Sequence, residues 1–198
     1  MMLIINQVED KHMTLDMKQT YLARWEHQAS QQVLDEVIKA LQEGKAIPNS
    51  FYSLPFIHKS DPKLNLKGAI LANLNISKRN LNNILFSYAN LREAVLIDCD
   101  FDGSELIQTN FTQANLTGCD FHACLMLGVN LSHANLSNAI LTNANLIGAN
   151  LAYTNLTGAD LRGANLHDVD LTRTILTDAD LSHTKLGRFR DWRQELGM

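Results

Sequence analysis

The sequence predicts a mainly β fold of the solenoid type, in which the chain turns once in every short repeat. From Leu66 to Leu186, every fifth residue carries a large apolar side chain, most often Leu and otherwise Ile, Phe or Met. The residue two positions earlier is small in most repeats, and the residue between the two is usually Asn or Asp. A fixed period maintained over so long a stretch indicates a repeat architecture.

A period of five is incompatible with the two common ways in which a chain forms a core. Helices bury residues at a period of about 3.6 and strands at a period of about 2. The chain must therefore bend within each repeat, so that the large and small residues fill a narrow tube and the other positions face solvent. Neighbouring coils of such a tube would pair as parallel strands about 4.8 Å apart.

The repeat resembles the motif of the pentapeptide-repeat proteins, as in Ala159-Asp160-Leu161-Arg162-Gly163. The resemblance covers residues 64–188. It implies a right-handed quadrilateral parallel β-helix with four repeats in each coil, and therefore about six coils in this chain. Because each coil of a solenoid contacts only its neighbours, both ends of the rod need a cap.

Residues 1–63 lack the repeat, and we expect them to form a helical cap followed by an irregular connector. Apolar residues at helical spacing predict helices over residues 15–28 and 31–43. Ser30 is suited to cap the start of the second helix, and Gly44 stands where a glycine often follows the end of one. The aromatic side chains of the connector need a surface to cover, and the open first coil supplies it.

The first repeats depart from the small-residue pattern. Large residues occupy the small inward position at Leu64, Leu74, Arg79 and Ile84. An arginine cannot be buried in such a tube without a partner. We therefore expect local distortion beside the cap, with the Arg79 side chain turned outward or paired with a carboxylate.

Residues 189–198 predict a short C-terminal helix that caps the last coil. Three apolar residues of this segment recur at spacings of three and four: Phe189, Trp192 and Leu196. In an alternative interpretation the same three side chains form a contact between two copies of the chain. The resemblance implies this alternative, because some members of the family dimerise through their C-terminal ends.

Composition and charge favour a water-soluble chain of 198 residues with a net charge of −4. All three cysteines occupy the small inward position and predict buried free thiols: Cys99, Cys119 and Cys124. The sequence contains no apolar run that suits a signal peptide or a membrane span. We expect a cytoplasmic bacterial protein, although an exported effector would have the same features.

Outward residues that lie twenty positions apart should stack along one side of the rod. On one side they form a candidate acidic strip of Asp100, Asp102, Asp120, Asp160 and Asp180. We favour a solvated column of carboxylates over a strip that binds a basic partner, and both over a metal or active site, because a convex rod offers no pocket. We accordingly expect no catalytic residue, no metal and no cofactor.

A second outward series consists of amides. The residues Asn90, Asn110, Asn130 and Asn150 lie twenty positions apart. Stacked amides can bond to one another from coil to coil. We therefore expect a structural amide ladder here.

One side of the predicted rod is unusual because its outward positions are apolar. We call this set the apolar strip: Leu85, Tyr88, Ile107, Leu125, Leu127 and Ile147. Contiguous exposed apolar surface usually marks a contact. The strip therefore predicts a protein partner or self-association, unless the N-terminal helices fold back and cover it.

The function that these features favour is that of a noncatalytic protein–protein interaction module, with an unidentified protein partner. We expect no direct nucleic-acid binding and no membrane span, and a homodimer would form through the C-terminal end or the apolar strip. One alternative is a DNA-mimicking inhibitor of gyrase-type topoisomerases, as in the quinolone-resistance members of the family. Residues 64–188 carry 11 acidic and 8 basic residues, which is sparse beside the charge density of DNA. A second alternative is a bacterial effector or enzyme accessory that acts through the N-terminal region.

Overall fold

A computed structural model describes residues 28–47 and 64–187, together with four helical residues before them, Gln19, Leu22, Ala23 and Trp25. The elements are one helix, α1 (Gln28–Glu43), and two short strands, β1 (Asn165–Leu166) and β2 (Lys185–Leu186). Most of the helix predicted over residues 15–28 and all of the one predicted over 189–198 lie outside the described residues.

The repeat region is a parallel solenoid with a period of twenty residues. Strand β1 pairs in parallel with β2, so that Asn165 lies beside Lys185. Single bridges with the same spacing connect the earlier coils, from Asn65 with Leu85 to Asp160 with Asp180. Residues twenty positions apart are therefore neighbours in adjacent coils, which confirms the prediction of four repeats per coil.

The bend between repeats depends on a backbone conformation that most residues avoid. The second residue after each central apolar residue has a positive φ, for example 71° at Gly163, 57° at Asn143 and 60° at Tyr153. Glycine adopts this left-handed region without penalty and Asn or Asp tolerate it, whereas other residues are strained there. This requirement explains why Gly, Asn and Asp are frequent at the fifth position of the repeat.

The interior matches the sequence prediction along most of the rod. Every central residue from Leu66 to Leu166 is buried, and so are most of the small residues two positions earlier. Phe101 and Phe121 stack in adjacent coils, with ring centroids 4.9 Å apart. In the last coil the central residues are only half-buried: Leu171, Leu176, Leu181 and Leu186.

Polar groups at the inward small position are satisfied by main-chain carbonyls. The Thr154 hydroxyl donates to Leu131 O over 2.7 Å, and the Cys124 thiol donates to Phe101 O over 2.9 Å. The three cysteines are free and buried, as predicted. Burial raises the pKa of the Cys124 thiol to about 12 and also raises the pKa of Cys99 and Cys119. These thiols are therefore inward packing groups with little thiolate character.

The outward Asn and Asp residues act mainly within their own turn, so the predicted amide ladder is largely wrong. Asn110 Oδ1 accepts the main-chain N–H of Thr112 over 3.0 Å, and the same bond to the residue two positions later recurs along the rod. Among the described residues, amide-to-amide bonding between coils is seen from Asn155 to Asn135, over 3.2 Å. The side-chain oxygen is used by the local turn first, because that bond stabilises the bend.

Helix α1 begins at Gln28, two residues before Ser30, so the predicted cap at Ser30 is wrong. Its carboxyl end is as predicted. Gly44 follows the helix with a φ of 68°, and Lys45 N donates to Ala40 O over 2.9 Å. These are the features of a helix closed by a glycine in the left-handed region. No helix among the described residues is long and apolar enough to cross a membrane.

Helix α1 packs on the first coil of the solenoid. Leu34 and Val37 are fully buried and belong to the same core cluster as Leu66. The Arg79 guanidinium donates a hydrogen bond to Gln42 O at the end of α1, over 2.5 Å. Of the two expectations for Arg79, the outward orientation agrees with this contact, whereas no carboxylate partner is seen among the described residues. A positive group is favourable at this end of a helix.

Candidate interaction surface on the first face

The first face of the solenoid is the one that contains the apolar strip. Its central residues are Leu66, Phe86, Leu106, Met126, Leu146, Leu166 and Leu186, all of which point inward. Two outward columns follow from the twenty-residue period. The first precedes the central residues and consists of Asn65, Leu85, Glu105, Leu125, Asn145 and Asn165. The column of Lys67, Ser87, Ile107, Leu127, Ile147 and His167 forms the corner of this face, and Tyr88 lies beside it.

The N-terminal part of the strip is covered. Tyr88 is 8% exposed and Ile107 is 5% exposed, although both occupy outward positions. Ser87, which lies between Lys67 and Ile107 in the corner column, is fully buried. The strip is therefore covered at Tyr88 and Ile107, which agrees at these two residues with the covered alternative that the sequence left open.

Trp25 lies at the start of this corner. Its side chain is 1% exposed, and its indole N–H donates to Lys67 O over 3.0 Å. In later coils the equivalent carbonyl accepts an N–H from the coil before it, as when Gly68 N donates to Ser87 O over 2.9 Å. Among the described residues, Leu64 is the first of the solenoid, and the indole takes the place that the main-chain donor has in later coils. The N-terminal helical part thus docks on the corner of the first face.

A largely buried ion pair lies beneath this docking site. Lys67 Nζ and a carboxylate oxygen of Glu105 are 2.5 Å apart, with side chains 13% and 23% exposed. The Ser87 hydroxyl donates to the same carboxylate over 2.8 Å. The network connects three successive coils on the first face. Sequence reasoning missed it, although the signal was available, since the twenty-residue period places all three residues on this face.

The C-terminal part of the strip is open. Leu125 and Leu127 are half-buried, and Ile147 is 36% exposed, while Leu85, which lies in the same coil as Tyr88, is also half-buried. Two exposed glycines, Gly128 and Gly148, follow Leu127 and Ile147 at the corner. A Cβ placed on Gly148 would have no atom within 4 Å. The corner beside Ile147 is therefore open, with an apolar side chain next to a bare glycine backbone.

The candidate acidic strip is neither continuous nor uniformly negative. Asp100 pairs with Asp120, and Asp160 pairs with Asp180, but Ile140 separates the two pairs and is 39% exposed. Arg162 lies beside the second pair, with its Nη2 2.7 Å from Asp160 Oδ2 and its Nε 3.7 Å from Asp180 Oδ2. These bonds lower the pKa of Asp160 below its usual value. The guanidinium thus offsets one of the two negative charges of this pair.

The N-terminal acidic residues serve the local turns. Asp100 accepts the main-chain N–H of Asp102 over 2.9 Å and the Asn82 side-chain amide over 3.1 Å, and Asp120 accepts the N–H of His122 over 2.8 Å. The Asp102 side chain is exposed. Within the described residues, no group of three or more His, Cys, Asp or Glu side chains could hold a metal ion. A solvated, structural column is the interpretation that these contacts favour.

The candidate dimer contact of Phe189, Trp192 and Leu196 lies outside the described residues.

A different surface feature near the C-terminal end was missed by sequence reasoning. His133 and Tyr153 stack with ring centroids 4.7 Å apart, and the Arg173 guanidinium lies over the Tyr153 ring at 5.7 Å. The three side chains share one column, so their spacing of twenty could have indicated the stack.

Comparisons with solved structures identify repeat proteins of the same kind. A pentapeptide repeat protein from the Arabidopsis thaliana thylakoid lumen is 30% identical over 54% of this chain, with a TM-score of 0.36. The chain spans 63% of the length of that protein. HetL, a pentapeptide repeat protein involved in heterocyst differentiation regulation in the cyanobacterium Nostoc, is 27% identical over 61% of this chain and 75% of its own, with a TM-score of 0.27.

QnrB1, a plasmid-mediated fluoroquinolone resistance protein, is 19% identical over 64% of this chain and 78% of its own, with a TM-score of 0.38. Comparison with curated protein sequences gave no match. The family model for pentapeptide repeats matches residues 84–122, 124–163 and 154–189, in 8 copies and over more than half of the sequence. With the parallel coils and the twenty-residue period already established, this match shows that the chain belongs to the pentapeptide-repeat family.

Proposed function

We propose that this protein is a noncatalytic interaction module that binds a protein partner through the open part of the apolar strip, Leu125, Leu127 and Ile147. The observation that carries the proposal is the change in exposure along one corner. Ile107 is buried, whereas Ile147, two coils further on, is exposed. The same corner is thus already an intramolecular docking surface at one end and remains available at the other.

The chemistry of the open part suits a protein partner. Partner side chains that cover Leu127 and Ile147 would remove apolar surface from water, at about 25 cal/mol per Å². The neighbouring glycines let a partner approach the backbone closely, and the regular coils hold the surface in one geometry. Binding energy in interfaces is concentrated in a few well-packed apolar or aromatic residues, which a small strip of this kind can supply.

The proposal includes the organisation of the whole chain. Residues 1–63 would form the N-terminal cap and connector, residues 64–188 a right-handed rod of about six coils, and residues 189–198 a capping helix. The contacts of Arg79 with Gln42 and of Trp25 with Lys67 support the first of these assignments. The half-buried last coil supports the need for the third, since its apolar interior is incompletely covered.

The charges do not favour the DNA-mimic alternative. Arg162 offsets half of the charge of one acidic pair, and exposed Ile140 interrupts the column between the pairs. A mimic of duplex DNA needs a dense and continuous row of negative charge. The effector or accessory alternative depends on the N-terminal region and stays a prediction.

The experiment that tests the proposed function is an affinity capture with a charged double variant, Leu127→Lys with Ile147→Lys. Both residues point outward, so the fold should survive, and binding should be lost because two ammonium groups would have to be desolvated. The matched control is Ser137→Lys with Thr157→Lys, which occupies the equivalent corner positions of the opposite face. Equal recovery of partner proteins by the double variant and by the control would contradict the proposal.

A further inference from the structure

We propose that the stacked side chains of His133, Tyr153 and Arg173, which we call the His–Tyr–Arg stack, bind an acidic, extended segment of a partner protein. The stack lies at the corner between the faces that contain Leu131 and Leu136. The apolar strip belongs to a different corner of the rod. The stack is therefore a second interaction surface, and it does not depend on the proposed function.

The three residues of the stack occupy the left-handed turn position in successive coils. Their φ values are 60° at His133, 60° at Tyr153 and 54° at Arg173. Glycine suits this conformation best and Asn, Asp and His tolerate it, whereas Tyr and Arg are less favourable there. Backbone strain that is retained in this way is frequent at functional sites. The column therefore holds side chains that the turn itself does not require.

The stack is ordered and yet exposed. The rings of His133 and Tyr153 are parallel within 6°, with centroids 4.7 Å apart, and the Arg173 guanidinium lies 5.7 Å from the centroid of the Tyr153 ring. All three residues are exposed, and Tyr153 retains 45% of its surface. Ring stacking and the cation–π contact hold the three groups in one geometry. A partner thus meets a preorganised surface and loses little side-chain entropy on binding it.

The polar groups of the stack are suited to bind carboxylates. An imidazole N–H, a phenol O–H and a guanidinium can all donate hydrogen bonds, and His133 and Arg173 are about 10 Å apart because two coil steps separate them. Within the described part of the chain, Arg173 forms no ion pair and the three side chains form no hydrogen bond. Donors that include a cation bind a charged acceptor most strongly. A row of this kind therefore fits an acidic ligand.

A short protein segment suits this surface better than a nucleic acid does. One guanidinium and one imidazole are too few to bind a polyanion, whose affinity depends on neutralising many phosphates. The net charge of −4 also opposes a long anionic ligand. Arg and Tyr are enriched among the residues that dominate protein–protein binding, and exposed Ile175 offers apolar surface two residues after Arg173. A polyproline II segment presents side chains three residues apart at about 9 Å, which matches the length of the stack.

The experiment measures binding of a fluorescein-labelled peptide to the full chain by fluorescence anisotropy. The probe is Glu-Pro-Pro-Glu-Pro-Pro-Glu, and the control peptide carries Gln in place of each Glu. The variants Tyr153→Asn and Arg173→Asn each remove one member of the stack and introduce a residue that tolerates the left-handed turn. The matched control is His183→Asn, since His183 is exposed at another corner with a φ of 61°. Chemical denaturation measures the free energy of unfolding of each variant.

We expect the probe to bind about tenfold more tightly than the control peptide, and each stack variant to lose about tenfold in affinity, with His183→Asn unchanged within about twofold. Higher salt should weaken binding of the probe, because Arg173 contributes through its charge. Equal affinity for the two peptides would overturn the proposal, and so would the absence of probe binding at about 1 mM. A stack with a structural role alone would also overturn it, since Tyr153→Asn would then change the free energy of unfolding and leave binding unaltered.

Two other occupants are distinguished with the same variants. Tighter binding of a single-stranded oligonucleotide than of the probe, lost in Tyr153→Asn, would assign the stack to nucleic acid and overturn the proposal. A molecular mass that rises with concentration in the unaltered chain, but not in Tyr153→Asn, would assign the stack to a second copy and overturn it too. Peptide binding does not involve Leu127 or Ile147, so the failure of either proposal leaves the other standing.

Discussion

The guanidinium of Arg79 donates to the main-chain oxygen of Gln42 over 2.5 Å and so connects the first coil of the solenoid to the carboxyl end of α1. Arg79 stands where later coils have Cys or Ala. Its Nε is buried without a hydrogen-bond partner among the described residues. The unpaired Nε therefore lowers the stability of the first coil, whereas the hydrogen bond to Gln42 O stabilises the attachment of α1.

We predict that Arg79→Ala loosens α1 and leaves the solenoid folded. The substitution restores a small inward residue and removes the unsatisfied Nε, but it also removes a charge-assisted hydrogen bond to the helix end. A bond of this kind on a partly exposed surface contributes about 1–2 kcal/mol. Hydrogen exchange of the amides in residues 28–43 should become faster, whereas exchange in residues 84–166 should not change. Faster exchange in both ranges would contradict a local role.

A second prediction concerns the left-handed turn positions. Ala123 is exposed and has a φ of 51°, a conformation that is strained for an L-residue. Ala123→Gly should raise the free energy of unfolding by about 0.5–1 kcal/mol, because relief of this strain exceeds the entropy cost of glycine. Ala152→Gly is the control, since Ala152 precedes a turn position and does not have a positive φ. Ala152→Gly should lower the free energy of unfolding by about 0.5–1 kcal/mol. Chemical denaturation measures the free energy of unfolding of both variants.

The inward and outward positions of the repeat could be predicted because position in a period of twenty determines the environment of each residue. Leu136 must point inward because every central residue does, and Asp100 must lie beside Asp120 because their numbers differ by twenty. The same arithmetic places Lys67, Ser87 and Glu105 on one face. It does not show that their side chains meet, because a side chain as long as that of Lys67 can reach beyond its own coil.

The sequence indicated a cap on the first coil, but it could not show which groups make the contact. Lys67 O accepts the indole N–H of Trp25, whereas the equivalent Ser87 O accepts a main-chain N–H from the neighbouring coil. Tyr88 and Ile107 are outward by position and yet buried, which the period does not predict either. A helix has no register with respect to the repeat, so the period carries no information about where it will pack.

A third prediction follows from the lowered pKa of Asp160, which results from its hydrogen bonds and ion pair with Arg162. A carboxylate with a lowered folded-state pKa stabilises the fold fully above the unfolded-state pKa of about 3.9. This stabilisation is lost as the pH falls through the folded-state pKa. In Arg162→Ala, NMR titration should show the pKa of Asp160 returning toward its ordinary value. An unchanged titration would mean that Arg162 does not hold this carboxylate in solution.

The last prediction concerns the ion pair of Lys67 and Glu105 on the first face. Both side chains are largely buried, so removing one charge leaves the other desolvated and without its partner charge. Glu105→Gln should therefore destabilise the protein by about 1–3 kcal/mol. Lys67→Met with Glu105→Gln removes both charges. This double variant should lose less free energy of unfolding than the sum of the losses in the two single variants.

The measurement is a double-mutant cycle of unfolding free energies, followed at neutral pH and at moderate salt. A coupling energy of about 1 kcal/mol or more is expected, because the pair is shielded from solvent and is also held by the Ser87 hydroxyl. Additive effects of the two single substitutions would show that the ion pair does not stabilise the covered corner. In a Trp192→Phe background, the fluorescence of Trp25 reports whether the N-terminal helical part remains docked, since its indole donates to Lys67 O. A red shift in Glu105→Gln would therefore connect the ion pair to the docking of the N-terminal part.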